Sequence, residues 1–125
     1  KEGSHIGHGA VIHGAAIGKN CLVGMNSVVM DNVVLGDECI VGALSFIKEG
    51  EMFESRSLIV GNPAKKIKAV SDEMIGWKSK GTQLYQSLPV DMQEQWQICE
   101  PLRTIPANRP SQEQLYESWK KIKGE

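Results

Sequence analysis

Two histidines, His8 and His13, stand five residues apart in the run Gly7-His8-Gly9-Ala10-Val11-Ile12-His13-Gly14. Imidazole binds zinc well and moves protons near neutral pH. A catalytic zinc keeps three protein ligands and one open position for water, with Zn–N near about 2.0–2.1 Å. Such a zinc lowers the pKa of water to roughly 7. Two histidines are one ligand short of that set. The plainer reading makes them polar residues at solvent-facing corners. His5 has no matching partner in the pattern and reads as surface. Cys21 and Cys39 form a second pair, eighteen residues apart. They could serve as a redox or metal site, but free Cys packs as a small hydrophobe, and core filling is the preferred reading.

The elements that must position the histidines are written in a six-residue beat. Ile17, Val23, Val29, Leu35, Val41 and Ile47 fall at every sixth position. Gly18, Gly24, Gly36 and Gly42 directly follow four of them, and Cys21, Ser27, Val33, Cys39 and Ser45 fill the fifth place of each unit. Short repeats of this kind mark a parallel β-helix. If three units complete one triangular turn, residues eighteen apart stack. Val23 then lies over Val41, Val29 over Ile47 and Ile17 over Leu35, in strands ~4.8 Å apart. The glycines fall at corners, where freedom from Cβ strain is useful. Ile6 and Ile12 carry the beat upstream, but Ile17 arrives one residue early. The short unit contains His13, and an irregularity inside a regular repeat points to function.

On such a coil the two imidazoles sit on consecutive faces of one turn and flank one edge of the prism. They are too far apart to share an ion alone. Identical solenoids packed around a threefold axis would bring one subunit's His8 to the next subunit's His13.

Composition narrows the remaining classes. The 125 residues make one domain-sized chain with 14 basic and 15 acidic side chains. No basic block suggests nucleic acid. No apolar run approaches the ~18 residues that suggest a membrane span. The three cysteines, Cys21, Cys39 and Cys99, fit a reducing compartment, so a cytoplasmic location is expected. The first residue is not Met, and about two and a half coils open without a cap. Repeat proteins generally need three or more repeats plus caps. The expectation is a piece of a longer protein, with its first coil covered by preceding coils, by neighbouring subunits or by both.

The chain divides into a repeat half over residues 1–70 and a helical half over 71–125. Residues 51–70 read as a loop and short strand ending at the Gly61-Asn62-Pro63 turn. Ser71 is a good N-cap, with Asp72 and Glu73 in the first turn. Met74, Trp77, Gly81, Leu84 and Leu88 form an amphipathic stripe suited to packing on the solenoid wall. Pro89 is expected to kink or end this helix. A second helical segment is expected around 90–99, carrying Trp96. Pro101, Pro106 and Pro110 favour an extended stretch. Ser111 is expected to cap a last short helix with Leu115, Trp119 and Ile122 on one face.

Gly7-His8-x4-His13-Gly14, set within hexapeptide repeats, resembles the γ-class carbonic anhydrases and their relatives. The resemblance continues through Val23-Gly24-Met25-Asn26-Ser27-Val28-Val29-Met30-Asp31, through Ile59-Val60-Gly61-Asn62-Pro63-Ala64-Lys65, and into Trp77-Lys78-Ser79-Lys80-Gly81-Thr82-Gln83-Leu84-Tyr85. It covers residues 3 to 105 and is strongest to the subgroup associated with phenylacetic acid degradation and carnitine operons. Hexapeptide acyltransferases share the Gly-Asn-Pro-Ala-Lys turn. The resemblance implies a left-handed parallel β-helix, mainly β, followed by an α-helix packed antiparallel along it. It implies a homotrimer with zinc, or another divalent transition metal, between subunits. His8 and His13 become two of three metal ligands, each serving a different site. Tyr85 matches a tyrosine lining the family's active site. The family's third histidine, and the arginine, aspartate and glutamine around it, lie upstream of the residues present. Gly81 stands where many carbonic anhydrases of this class have Asn.

Three functions follow. The first is zinc-dependent hydration of CO2 to bicarbonate in the full-length form. The second is acyl-CoA transfer or thioester hydrolysis, with His8 or His13 as general base. The third is a structural trimer module that lacks a complete metal site.

Overall fold

The computed structural model describes residues 1–109 and 117–124, which include nine two-residue strands, two longer strands and two helices. Ser111 and Leu115, the expected cap and first apolar position of a last helix, lie outside the described residues. The chain divides into two compact units, Lys1–Thr82 and Gln83–Glu125.

The first unit is a parallel β-solenoid. Its first coil is β1 (His5–Ile6), β2 (Val11–Ile12) and β3 (Ala16–Ile17). The second is β4 (Leu22–Val23), β5 (Val28–Val29) and β6 (Val34–Leu35), and the third is β7 (Ile40–Val41), β8 (Phe46–Ile47) and β9 (Met52–Phe53). They stack into three sheets, one per face, with orders β1-β4-β7, β2-β5-β8 and β3-β6-β9. The first sheet continues into β10 (Ser57–Gly61) and β11 (Ala64–Ala69), an antiparallel hairpin. Its turn holds a cis Asn62–Pro63 peptide.

The eighteen-residue ladders are present: Val23 pairs with Val41, Val29 with Ile47 and Ile17 with Leu35. Val23, Val29, Leu35, Val41 and Ile47 form the core with Cys21, Val33, Cys39 and Ile59. The solenoid is longer than the two and a half coils expected. Phe53 and Ile59 extend the beat by two more units, so residues 51–70 form the last strand of the third coil and a hairpin rather than a loop. Polar Glu51 and Glu54 around Phe53 obscure that strand in the sequence.

The glycines after each ladder residue serve a different purpose from the one expected. Gly18, Gly24, Gly36 and Gly42 do not have positive φ; the left-handed corner positions include Gly3, Gly9, Gly14, Asn20, Asn26 and Asn32. What these glycines provide is room. A Cβ on Gly24 would lie 2.4 Å from the Ala43 amide nitrogen, and one on Gly36 would lie 2.4 Å from that of Ser55. The next coil's main chain passes where a methyl group would be.

Helix α1 (Asp72–Gln95) begins as its sequence suggests, with Ser71 Oγ accepting from the Met74 amide at 3.3 Å. Its buried residues are Met74, Lys78, Gly81 and Thr82, so the stripe is shifted from the expected one and includes a cation. Lys78 is 2 % exposed and donates to Gly3 O and to Asn20 Oδ1. Burial holds its pKa below the usual lysine value. Arg56 bridges Glu38 (2.6 Å) and Asp72 (2.7 Å), which ties the helix start to the solenoid corner. The helix does not end at Pro89 but runs on to Gln95. Proline removes one amide donor, and the following Asp91-Met92-Gln93-Glu94-Gln95 run sustains the helical path. The expected second helical segment at 90–99 is thus mostly the end of α1. In the second unit, a short helix α2 (Trp119–Lys123) is capped by Ser118.

Gly24→Ala or Gly36→Ala should destabilise the fold by about 1–3 kcal/mol, because the clashing atoms are main chain. Urea unfolding followed by circular dichroism measures this. Wild-type stability in either variant would refute the close-approach argument.

Candidate functional site

His8 and His13 stand at consecutive corners of the first coil, one at each end of β2, and both are exposed. They bracket a strand of one face rather than flanking a single edge. Main-chain bonds to the second coil fix both corners. The His8 carbonyl accepts from the Asn26 amide at 2.9 Å, and the His13 amide donates to Val29 O at 2.8 Å.

The irregular unit falls at His13. Strands β1 and β2 pair with the second coil at an offset of seventeen residues, whereas β3 pairs at eighteen. The missing residue makes the His13-Gly14-Ala15 corner tighter than the others. Gly14 takes the left-handed conformation there, with φ +64°. A Cβ on Gly14 would lie 2.4 Å from Asp31 Oδ1. Glycine therefore makes room for the Asp31 carboxylate.

Asp31 is the site residue that the histidine pattern alone does not reveal. Its Oδ2 lies 2.8 Å from His13 Nδ1. Strand β2 stacks at an offset of seventeen, so Asp31 lies over Gly14 and its carboxylate reaches back across the shortened corner to His13. With Nδ1 engaged by a carboxylate, Nε2 of His13 is left as the outward nitrogen. That nitrogen can ligate a metal or accept a proton.

His5 is not a plain surface residue. It is half-buried on β1, and burial, then the nearby Lys78 charge, then His8 lower its pKa. Cys21 and Cys39 are fully buried. The Cys21 thiol donates to Gly36 O and the Cys39 thiol to Glu54 O, both at 3.2 Å. The Cys21 neighbour and burial push the Cys39 thiol above its ordinary pKa. Tyr85 lies on α1 in the second unit and is 53 % exposed. Among the described residues, no group of three or more His, Cys, Asp or Glu could hold a metal ion. No helix among them is long and apolar enough to cross a membrane.

The repeat, its stacked coils and the interrupted corner define a hexapeptide-repeat protein, and residues 14–49 match the family model described as bacterial transferase hexapeptide (six repeats). The chain is similar over most of its length to carnitine operon proteins. The carnitine operon protein CaiE of Escherichia coli strain K12 is 47 % identical over 109 residues, covering 87 % of this chain and 56 % of that protein. Its counterpart from Salmonella agona is 44 % identical, covering 87 % and 55 %. The chain thus spans about half the length of these curated relatives. Among solved structures, a hexapeptide transferase family protein from Anaplasma phagocytophilum superposes with a TM-score of 0.68 at 31 % identity, over 71 % of this chain and 54 % of that one. A putative acetyltransferase from Bacillus cereus gives 0.56 at 28 %, over 69 % and 54 %.

Two outcomes test the placements above. In the native protein a thiol reagent should label Cys99, which is exposed, and spare Cys21 and Cys39. All three should react in denaturant, and native labelling of Cys21 would contradict the packed core. For His5, the lowered folded pKa means the unfolded chain takes up this proton first as pH falls below about 6.5. Its contribution is present above that pH and lost on acidification through the folded pKa. His5→Gln should therefore flatten the stability profile over this window in urea unfolding.

Proposed function

We propose that the full-length protein is a γ-carbonic anhydrase-like metalloprotein that hydrates CO2 to bicarbonate, with His8 and His13 as ligands of zinc or another divalent transition metal. The observation that carries this reading is the 2.8 Å contact between His13 Nδ1 and Asp31. Metal-ligating histidines characteristically give their second ring nitrogen to a carboxylate, which fixes the tautomer and the ring. The donor chemistry suits zinc, while the number of donors in one chain does not complete a catalytic set. We therefore assign the site to the contact between copies in a homotrimer, where His8 of one copy approaches His13 of another.

When bound there, zinc supplies Lewis acidity that makes water a nucleophile near neutral pH. This chain's residues do the positioning. Asp31 holds the His13 ring, Gly14 leaves space for that carboxylate, and the second coil anchors both corners. Tyr85 enters as a pocket-lining residue on the family pattern alone.

A second reading is acyl transfer from an acyl-CoA, or thioester hydrolysis. The transferase names of the family model and of the solved relatives favour it. In that chemistry Asp31 would orient His13 so that Nε2 takes a proton from the attacking group.

Metal analysis and zinc titration of the full-length protein separate the readings. The hydratase reading expects bound zinc, lost in His8→Ala and in His13→Ala, with affinity reduced about 10–100-fold in Asp31→Asn. CO2 hydration should fall with the metal and return on reloading. Acyl-CoA turnover that is indifferent to chelators and lost in His13→Ala would replace it with the second reading. A folded trimer with neither metal nor turnover would leave a structural module.

A further inference from the structure

At the opposite end of the solenoid from the histidines, Lys48, Glu51, Phe53, Pro63, Ala64, Lys65 and Lys66 line a cleft of about 190 Å³. Three of its seven lining residues are lysines, and one is acidic. Lys66 is engaged with Glu54 in an ion pair. Among the described residues, Lys48 and Lys65 form no ion pair, so two cations face the cleft against the single Glu51 carboxylate.

The β10–β11 hairpin bends across this end and contributes Pro63 to Lys66. The cleft therefore joins lysine ammonium groups and a hairpin wall.

Size selects among anions. At about 190 Å³ the cleft is below the ~300 Å³ at which pockets for drug-sized ligands begin. It suits a single compact anionic group better than a whole cofactor. Lysine is a point-charge partner for phosphate.

We propose that this cleft is a binding site for a phosphate dianion, free or as the terminal group of a small soluble phosphomonoester, held by Lys48 and Lys65. It lies apart from the histidine corners and is independent of the reaction carried out there.

The test is titration of the isotope-labelled full chain, followed through its amide NMR spectrum. Sodium phosphate and glycerol 3-phosphate are each compared with sodium chloride at equal ionic strength. Saturable shifts at Lys48, Glu51 and Lys65 are expected with phosphate, with the monoester or with both, and not with chloride. The double variant Lys48→Gln/Lys65→Gln should weaken binding at least about tenfold, since both charge-assisted contacts are lost. Glu51→Gln should tighten it by removing the opposing carboxylate, which keeps the test open if the double variant does not fold. His13→Ala should leave it unchanged, so failure here is separate from failure of the metal reading. Shifts that match those of chloride, or that persist at full strength in the double variant, overturn the proposal.

Discussion

Everything in the solenoid depends on one spacing, the close approach of each coil to the next. Main-chain bonds between coils run 2.7–2.9 Å at almost every corner as well as along the strands: Gly7 to Val23 O, Leu22 to Cys39 O, Gly24 to Val41 O, Gly36 to Phe53 O. With strands only two residues long, few of these bonds are ordinary sheet bonds. The corners therefore carry as much of the structure as the faces. This accounts for glycine wherever the next coil's backbone passes, and for Cys21, Cys39, Ser27, Ser45 and Ser57 at the inward corner place. Ser27 Oγ and Ser57 Oγ turn back to Gly24 O and Glu54 O at 2.8 Å, so these buried hydroxyls remain satisfied.

The same spacing makes a single missing residue consequential. A deletion in a loop would normally be absorbed by slack. Here the coil above is locked, so the shortened unit must be taken up within one corner, and that corner is His13-Gly14-Ala15. The register passes from seventeen to eighteen residues across it. Its tight path needs a left-handed residue at Gly14, and the absence of a side chain there leaves Asp31 free to reach His13. Irregular backbone, glycine and carboxylate form one device whose result is an oriented imidazole.

Legibility in the sequence followed periodicity. The aliphatic ladders could be read because eight positions, Ile17 to Ile59, obey one rule, and a parallel solenoid turns that rule directly into contacts. Asp31 falls outside it, because the coils stack at seventeen where it meets the His13 corner, and polar residues at corners carry no hydropathy contrast to mark it. Strand β9 was hidden for a related reason, because its outward and flanking residues are polar or exposed. Lys78 went unseen on the helix because a cation in an apolar stripe looks like a gap. Only the Asn20 side chain and the Gly3 carbonyl beneath it show why it can be buried. The metal-binding part of the histidine reading came from family resemblance, since no spacing within one chain brings His8 and His13 to a common ion.

The coil above anchors both histidines: Val29 O holds the His13 amide, Asn26 holds the His8 carbonyl, and Asp31 holds the His13 ring. Lys78 reaches Gly3 on the same first coil and Asn20 on the second, so the helix adds another tie at a different corner. The second coil is thus the structural foundation of the site, although it supplies neither histidine. A substitution that loosens its packing should move both imidazoles together, whereas one at Asp31 should free only His13.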